Sequence, residues 1–250
     1  MTWSDIEFLQ KDWIKKTAII LANLMTLGNI SLAIVAIVFI FLEINNYILW
    51  FAKILAICGV LDFTDGKLAR IGGSKKLAVD IDTIVDAIAF GILPAIFLAY
   101  EVSAIHIAVG VLTGLVYLSA VWYRLYRFVK RDPLYTLYFT GLPSPFAALV
   151  LSCLVVFHET PAWEFIIATL VISSFMISKT PFPSFKGVPS KFDLFWIIST
   201  TIIILCFIFF PFSIMVYPAY FLATYMVIYL IFSPEYALKL EEKRNNKKNS

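Results

Sequence analysis

Four aspartates carry the chemistry that this sequence is equipped to do. Asp62 and Asp65 are three residues apart, Asp82 and Asp86 four apart, and both pairs stand at the edges of long apolar stretches. A carboxylate well inside a membrane helix costs about 2.5 to 3.5 kcal/mol on insertion scales, so such groups point to function. On a helix the two spacings put each pair on one face. The short break between the two stretches makes their helices antiparallel neighbours, and the four carboxylates then converge. Without a partner they would repel one another, so the arrangement calls for a bound cation or shared protons. Hard oxygen donors in this number suit Mg²⁺ or Mn²⁺, as one ion or as a two-metal site. Gly66 and Ala69 keep the adjoining face small, which leaves room for a ligand against the backbone, and Arg70 offers a planar fork for a phosphate. Together these residues describe a metal–diphosphate site. Helix-end caps and ion pairs would account for a single boundary aspartate, but not for four that face one another beside an arginine. Asp80 lies two positions before Asp82, about 200° round the helix, and reads as a bystander.

The elements that must position these groups are membrane helices. Of the 250 residues, 61% are hydrophobic and 15% charged, and the mean hydropathy is +0.88, far above that of a soluble domain. About eight stretches are apolar and long enough to span: Thr17 to Leu42, Tyr47 to Arg70, Leu77 to Tyr100, Ala104 to Phe128, Pro143 to Phe157, Trp163 to Ser178, Leu194 to Phe210 and Ile214 to Phe232. The fifth and sixth are short. Basic residues collect at alternate breaks: Lys11, Lys15 and Lys16; Arg70, Lys75 and Lys76; Arg124, Arg127, Lys130 and Arg131; Lys179, Lys186 and Lys191; and the tail from Lys239 to Lys248. Cytoplasmic loops carry such an excess, so the pattern predicts a multi-pass protein of the cell membrane with both termini and the aspartates on the cytoplasmic side. Lys53 is the exception, near enough to the outer end of its helix to snorkel. Residues 1–16 mix acids with Ile6, Phe8, Leu9 and Trp13 and read as an amphipathic interfacial helix rather than a signal. The expected organisation is therefore all-α: that helix, a transmembrane domain over 17–232, and a basic tail over 233–250.

Other classes are weakly served. The net charge of +3 is spread over one membrane face, which gives no nucleic-acid stripe. Cys58, Cys153 and Cys206 fall in apolar spans without metal-ligand spacing and read as packing residues. His106 and His158 sit near the outer face, away from the aspartates. A cation-coupled transporter using the aspartates as an ion site is the rival of a different class; broken helices or duplicated halves would favour it, and the sequence has neither.

The stretch DFTDGKLAR from Asp62 to Arg70, followed by DTIVD from Asp82 to Asp86, resembles the signature of the CDP-alcohol phosphotransferases. That resemblance implies a helical membrane enzyme that is a homodimer, holds two ions of Mg²⁺ or Mn²⁺ on Asp62, Asp65, Asp82 and Asp86, and uses Asp86 as general base. It implies a CDP-lipid site lined by Asn23, Thr26, Gly66, Ala69, Arg70 and Ala78. Seven residues separate Arg70 from Ala78, one fewer than the family usually has, and Ala78 stands where the family has a glycine.

Further segments are similar to the phosphatidylserine synthase branch: NLMTLGN (Asn23 to Asn29), FGILPA (Phe90 to Ala95), YRLYRF (Tyr123 to Phe128), FTGLPSP (Phe139 to Pro145) and SFMISKTPFPSFK (Ser174 to Lys186). The implied reaction transfers a phosphatidyl or archaetidyl group from CDP-diacylglycerol or CDP-archaeol to the hydroxyl of L-serine, releasing CMP. An inositol phosphate, glycerol phosphate or choline is the alternative acceptor. Serine brings a carboxylate, which a bidentate guanidinium matches. Arg124 and Arg127, three apart at the end of the fourth span, are therefore the expected contacts for the acceptor or for the lipid-side phosphate, topology anchors being the plainer reading. Pro94 predicts a kink in the third span, and Gly141 to Pro145 a tight loop entering the fifth.

Overall fold

The computed structural model describes residues 3–72, 83–130, 138–157, 161–183 and 191–248. Eight helices follow one another: α1 (Trp3–Phe41), α2 (Tyr47–Gly72), α3 (Thr83–Val102), α4 (Ile107–Lys130), α5 (Ser144–Val156), α6 (Ala162–Ile177), α7 (Lys191–Phe209) and α8 (Val216–Lys248). The first four are long and apolar enough to cross a membrane. The others carry shorter apolar stretches: all of α5 and α6, Ile198–Phe209 of α7, and Val216–Phe232 of α8. A small antiparallel ribbon interrupts the helices. In it β1 (Tyr138–Thr140) pairs with β2 (Pro181–Pro183), with Phe139 opposite Phe182.

Two features differ from the sequence expectation. α1 runs unbroken from Trp3, so residues 3–16 are its first turns rather than a separate element. No glycine or proline lies between Trp3 and Leu27 to interrupt it. The ribbon was not expected; its strands are only three residues long, and β2 begins and ends on proline.

Close backbone approach sets the register of α3 against α4. A Cβ on Gly110 would lie 2.4 Å from the carbonyl oxygen of Ala99, and one on Gly114 would lie 2.5 Å from that of Ala95. Small residues one turn apart let the two helices touch in this way. Farther along, Gly91 meets the side chains of Val121 and Leu118. The contacts step in opposite senses along the two helices, so Arg124, one turn past Val121, comes level with the start of α3, where Asp86 stands. Between Ala87 and Ile92 the helix widens to a π-turn, in which the N–H of Leu93 donates to the carbonyl of Ile88. Pro94 follows and has no N–H to return to the preceding turn, and the wider turn lies just before it, immediately after Asp86.

The end opposite the aspartates is tied by polar contacts. The Tyr47 hydroxyl donates to Glu101 at 2.8 Å and the Tyr100 hydroxyl donates to Glu43, linking the α1–α2 turn to the end of α3. Phe51 and Phe97 stack at 3.9 Å beneath them. Lys53, the basic residue out of place in the charge pattern, donates to the carbonyl of Phe210 at 2.6 Å and lies 4.7 Å from the Phe212 ring centroid. It satisfies a carbonyl just past α7 and docks the last two helices against α2. At the other end Tyr229 of α8 stacks on Phe146 at 4.3 Å and on Phe182 at 5.9 Å, so α8 supports both the start of α5 and the ribbon.

Candidate active site

Five helices bring polar groups to the aspartate end. On α2, Asp62 is half-buried and Asp65 is 3% exposed. On α1, the Thr26 hydroxyl stands 2.9 Å from the carbonyl of Ala22 and 3.2 Å from Oδ2 of Asp65, its single hydrogen serving both acceptors. Thr26, expected along the CDP-lipid site, is thus bonded to one of its carboxylates. Asn23, one turn earlier, is exposed. Asp86 is half-buried at the start of α3. Asp82 and Ala78, with the bystander Asp80, lie outside the described residues, and so does His158. Ala69 and Arg70 belong to the last turns of α2, and nothing further is described of them. His106 is exposed at the opposite end, and Cys58 and Cys153 are buried.

The two arginines of α4 part company. Arg124 is 6% exposed; its Nη1 donates to the Ser144 hydroxyl oxygen at 2.6 Å, and its charge interacts with those of Asp86 and Asp62. Arg127 turns to the backbone instead. Its Nη1 donates to the carbonyl of Ile177 at 2.9 Å, and its Nη2 donates to those of Thr140 at 2.6 Å and Met176 at 2.9 Å. It therefore satisfies the last carbonyls of α6 and ties them to β1. Gly141, at φ +80, makes this geometry accessible: a Cβ there would lie 2.2 Å from the Met176 carbonyl and 2.5 Å from Nη2 of Arg127.

Ser144 was missed by sequence reasoning. It is fully buried as the first residue of α5, and the sequence signal was a serine held between Pro143 and Pro145.

The donors suit a divalent cation in kind: carboxylate oxygens, one of them almost wholly buried, on two neighbouring helices. Among the described residues no three Asp, Glu, His or Cys side chains gather closely enough to hold an ion, and the expected set includes Asp82. Among the described residues, a Cβ built on Gly66 meets nothing within 4 Å. Gly66→Ala is therefore expected to leave thermal stability unchanged or raise it, since alanine favours the helix by about 1 kcal/mol. A rise of about tenfold in the KM for CDP-lipid with no loss of thermal stability would mark the space beside Gly66 as the ligand's. An unchanged KM would remove Gly66 from the site.

The chain matches the CDP-alcohol phosphatidyltransferase family over residues 19–175. It is 30% identical over 186 residues to the CDP-diacylglycerol–serine O-phosphatidyltransferase of Helicobacter pylori strain 26695, covering 69% of this chain and 73% of that one. The enzyme of the same name from Mycobacterium leprae is 35% identical over 103 residues, 38% of this chain and 34% of its own. That of Mycobacterium tuberculosis strain H37Rv is 30% identical over 152 residues, 55% of this chain and 50% of its own.

Proposed function

Because the chain belongs to the CDP-alcohol phosphatidyltransferase family, we propose that it transfers a phosphatidyl or archaetidyl group from CDP-diacylglycerol or CDP-archaeol to the hydroxyl of L-serine. The activity for which the relatives are named supports serine as acceptor. The observation that carries the reading within this chain is Arg124, a buried guanidinium set against Asp62 and Asp86, where a carboxylated acceptor would need it. The transporter alternative draws no support from this family.

In this reading Asp62, Asp65, Asp82 and Asp86 hold two ions of Mg²⁺ or Mn²⁺, which supply charge stabilisation to the diphosphate and to the transferred phosphoryl group. Gly66 and Ala69 leave room for the cytidine end, with Asn23 and Ala78 at its margin, and Arg70 binds phosphate. Thr26 holds Asp65 in place. Asp86 accepts the proton of the serine hydroxyl, whose oxygen attacks the phosphorus nearer the lipid. The bond from that phosphorus to the bridging oxygen breaks, and CMP leaves with the electron pair. Arg124 takes the serine carboxylate, while Arg127 fixes the ribbon and the end of α6 beside it. The eight helices form a multi-pass domain over 17–232 in the cell membrane, with residues 1–16 at its surface and 233–250 as a basic tail. Both termini and the site face the cytoplasm, and the assembly is a homodimer.

Arg124→Lys and Arg127→Lys test this division, because each keeps the charge and loses the fork. Arg124→Lys is expected to raise the KM for serine about tenfold or more with little change in that for CDP-lipid, as for loss of a charge-assisted hydrogen bond worth about 1.5 to 3 kcal/mol. Arg127→Lys is expected to lower the melting temperature and move both KM values little. An unchanged serine KM in Arg124→Lys would return that residue to a topology anchor.

A further inference from the structure

We propose that Ser144 is a positioning residue: a neutral hydrogen-bond acceptor that aims the Arg124 guanidinium at Asp62 and Asp86 and so sets the preference for a carboxylated acceptor. This inference rests on the function proposed above and adds the group that orients its specificity residue.

Three observations carry it. First, the hydroxyl oxygen of Ser144 receives Nη1 of Arg124 at 2.6 Å, and Ser144 is 0% exposed. A residue closed off so completely does not touch a substrate; it acts through the arginine, whose charge reaches both aspartates. Secondly, the hydroxyl has no capping duty. The N-cap of α5 is Pro143, and no side chain caps the helix there. Serines near helix starts are ordinarily favoured for such caps, so this one is explained by its arginine. Thirdly, the backbone at Ser144 is held by contacts that do not involve its side chain. The N–H of Gly141 donates to the Thr180 carbonyl at 2.8 Å, that of Leu142 to Phe175 at 3.1 Å, and Phe146 is stacked on Tyr229. Removing the hydroxyl therefore leaves the chain in place and takes away only this one contact of the arginine.

The chemistry of the partner matters. A carboxylate in this place would neutralise the guanidinium and compete with an anionic acceptor for it. A hydroxyl oxygen orients it without adding a further negative charge to those of Asp62 and Asp86. Loss of that oxygen lets the buried side chain adopt other rotamers, which lowers the fraction of enzyme with the fork in place.

The test uses the purified full-length chain in detergent with CDP-lipid and Mn²⁺. Ser144→Ala removes the acceptor, and Ser144→Cys keeps the volume but offers only a weak one. Both are expected to raise the KM for L-serine by about five- to tenfold, with the KM for CDP-lipid and the melting temperature unchanged. In an Arg124→Lys background the Ser144→Ala change should add nothing, since both act on one contact. An unmoved serine KM in both variants overturns the proposal. So does a rise in both KM values with a falling melting temperature, or an effect that simply adds to Arg124→Lys. If the wild-type chain uses an acceptor other than serine, the function reading fails on that result alone. The same cycle is then read on that acceptor: coupling between positions 144 and 124 keeps the inference, and additivity ends it.

Discussion

Asp62→Asn, Asp65→Asn and Asp82→Asn each abolish metal-dependent transfer while leaving the protein folded and inserted. This is the largest effect expected of any single change outside the base. Each substitution removes a ligand charge and keeps the size of the side chain, so the loss is one of cation affinity rather than packing. At position 65 the case is sharpest. The carboxylate is 3% exposed and receives the Thr26 hydroxyl at 3.2 Å. An asparagine oxygen accepts the same hydrogen bond, and the neighbouring like charges no longer repel it, so the melting temperature should hold or rise. Binding of Mn²⁺, followed by electron paramagnetic resonance on the protein without nucleotide, should weaken in step with activity. Even an outer contact to a metal ligand is typically worth 10-fold or more in affinity or activity. Transfer that stays within about threefold of wild type would show that the residue in question is not a ligand.

Asp86→Asn should separate chemistry from binding. Asp86 stands at the start of α3, directly before the π-turn, and its charge interacts with that of buried Arg124. In the proposed function it is the general base that takes the serine proton, a role worth about 10² to 10⁴ in rate. The variant should therefore lose turnover by about that factor while CDP-lipid and Mn²⁺ are still held through Asp62, Asp65 and Asp82, so the fall is mainly in kcat and the KM for CDP-lipid changes little. Loss of nucleotide or metal binding together with turnover would place Asp86 in the ligand set alone and leave the base to another group.

The helices, and the placing of Asp62, Asp65 and Asp86 at one end of them, were legible because hydropathy and charge act over long windows. A stretch of about 20 apolar residues has few alternatives to spanning, and a carboxylate at its edge stands out against that background. The eight helices lie where the apolar stretches do, although only four are long and apolar enough to qualify as spans by themselves. What escaped was set by contacts between residues distant in sequence. Arg124 and Arg127 read as one unit, since three positions on a helix put them on one face. Yet one meets Ser144 and the other meets carbonyls on α6 and β1. Ser144 itself was hidden in a proline-rich loop signal, because no local pattern reveals that an arginine twenty residues earlier will return to it. Lys53 looked like a snorkelling exception. It also partners a carbonyl at the end of α7, which only the packing of α7 on α2 discloses.

Transfer to serine is the central claim, and it is tested most directly by product analysis with the purified full-length chain. CDP-lipid labelled in the lipid, Mn²⁺ or Mg²⁺, and a panel of L-serine, inositol phosphate, glycerol phosphate and choline are sufficient. The expected result is a serine-bearing phospholipid formed with one equivalent of CMP, only when metal and serine are both present. Consumption of another acceptor with no serine product, or no transfer to any of them, would contradict it.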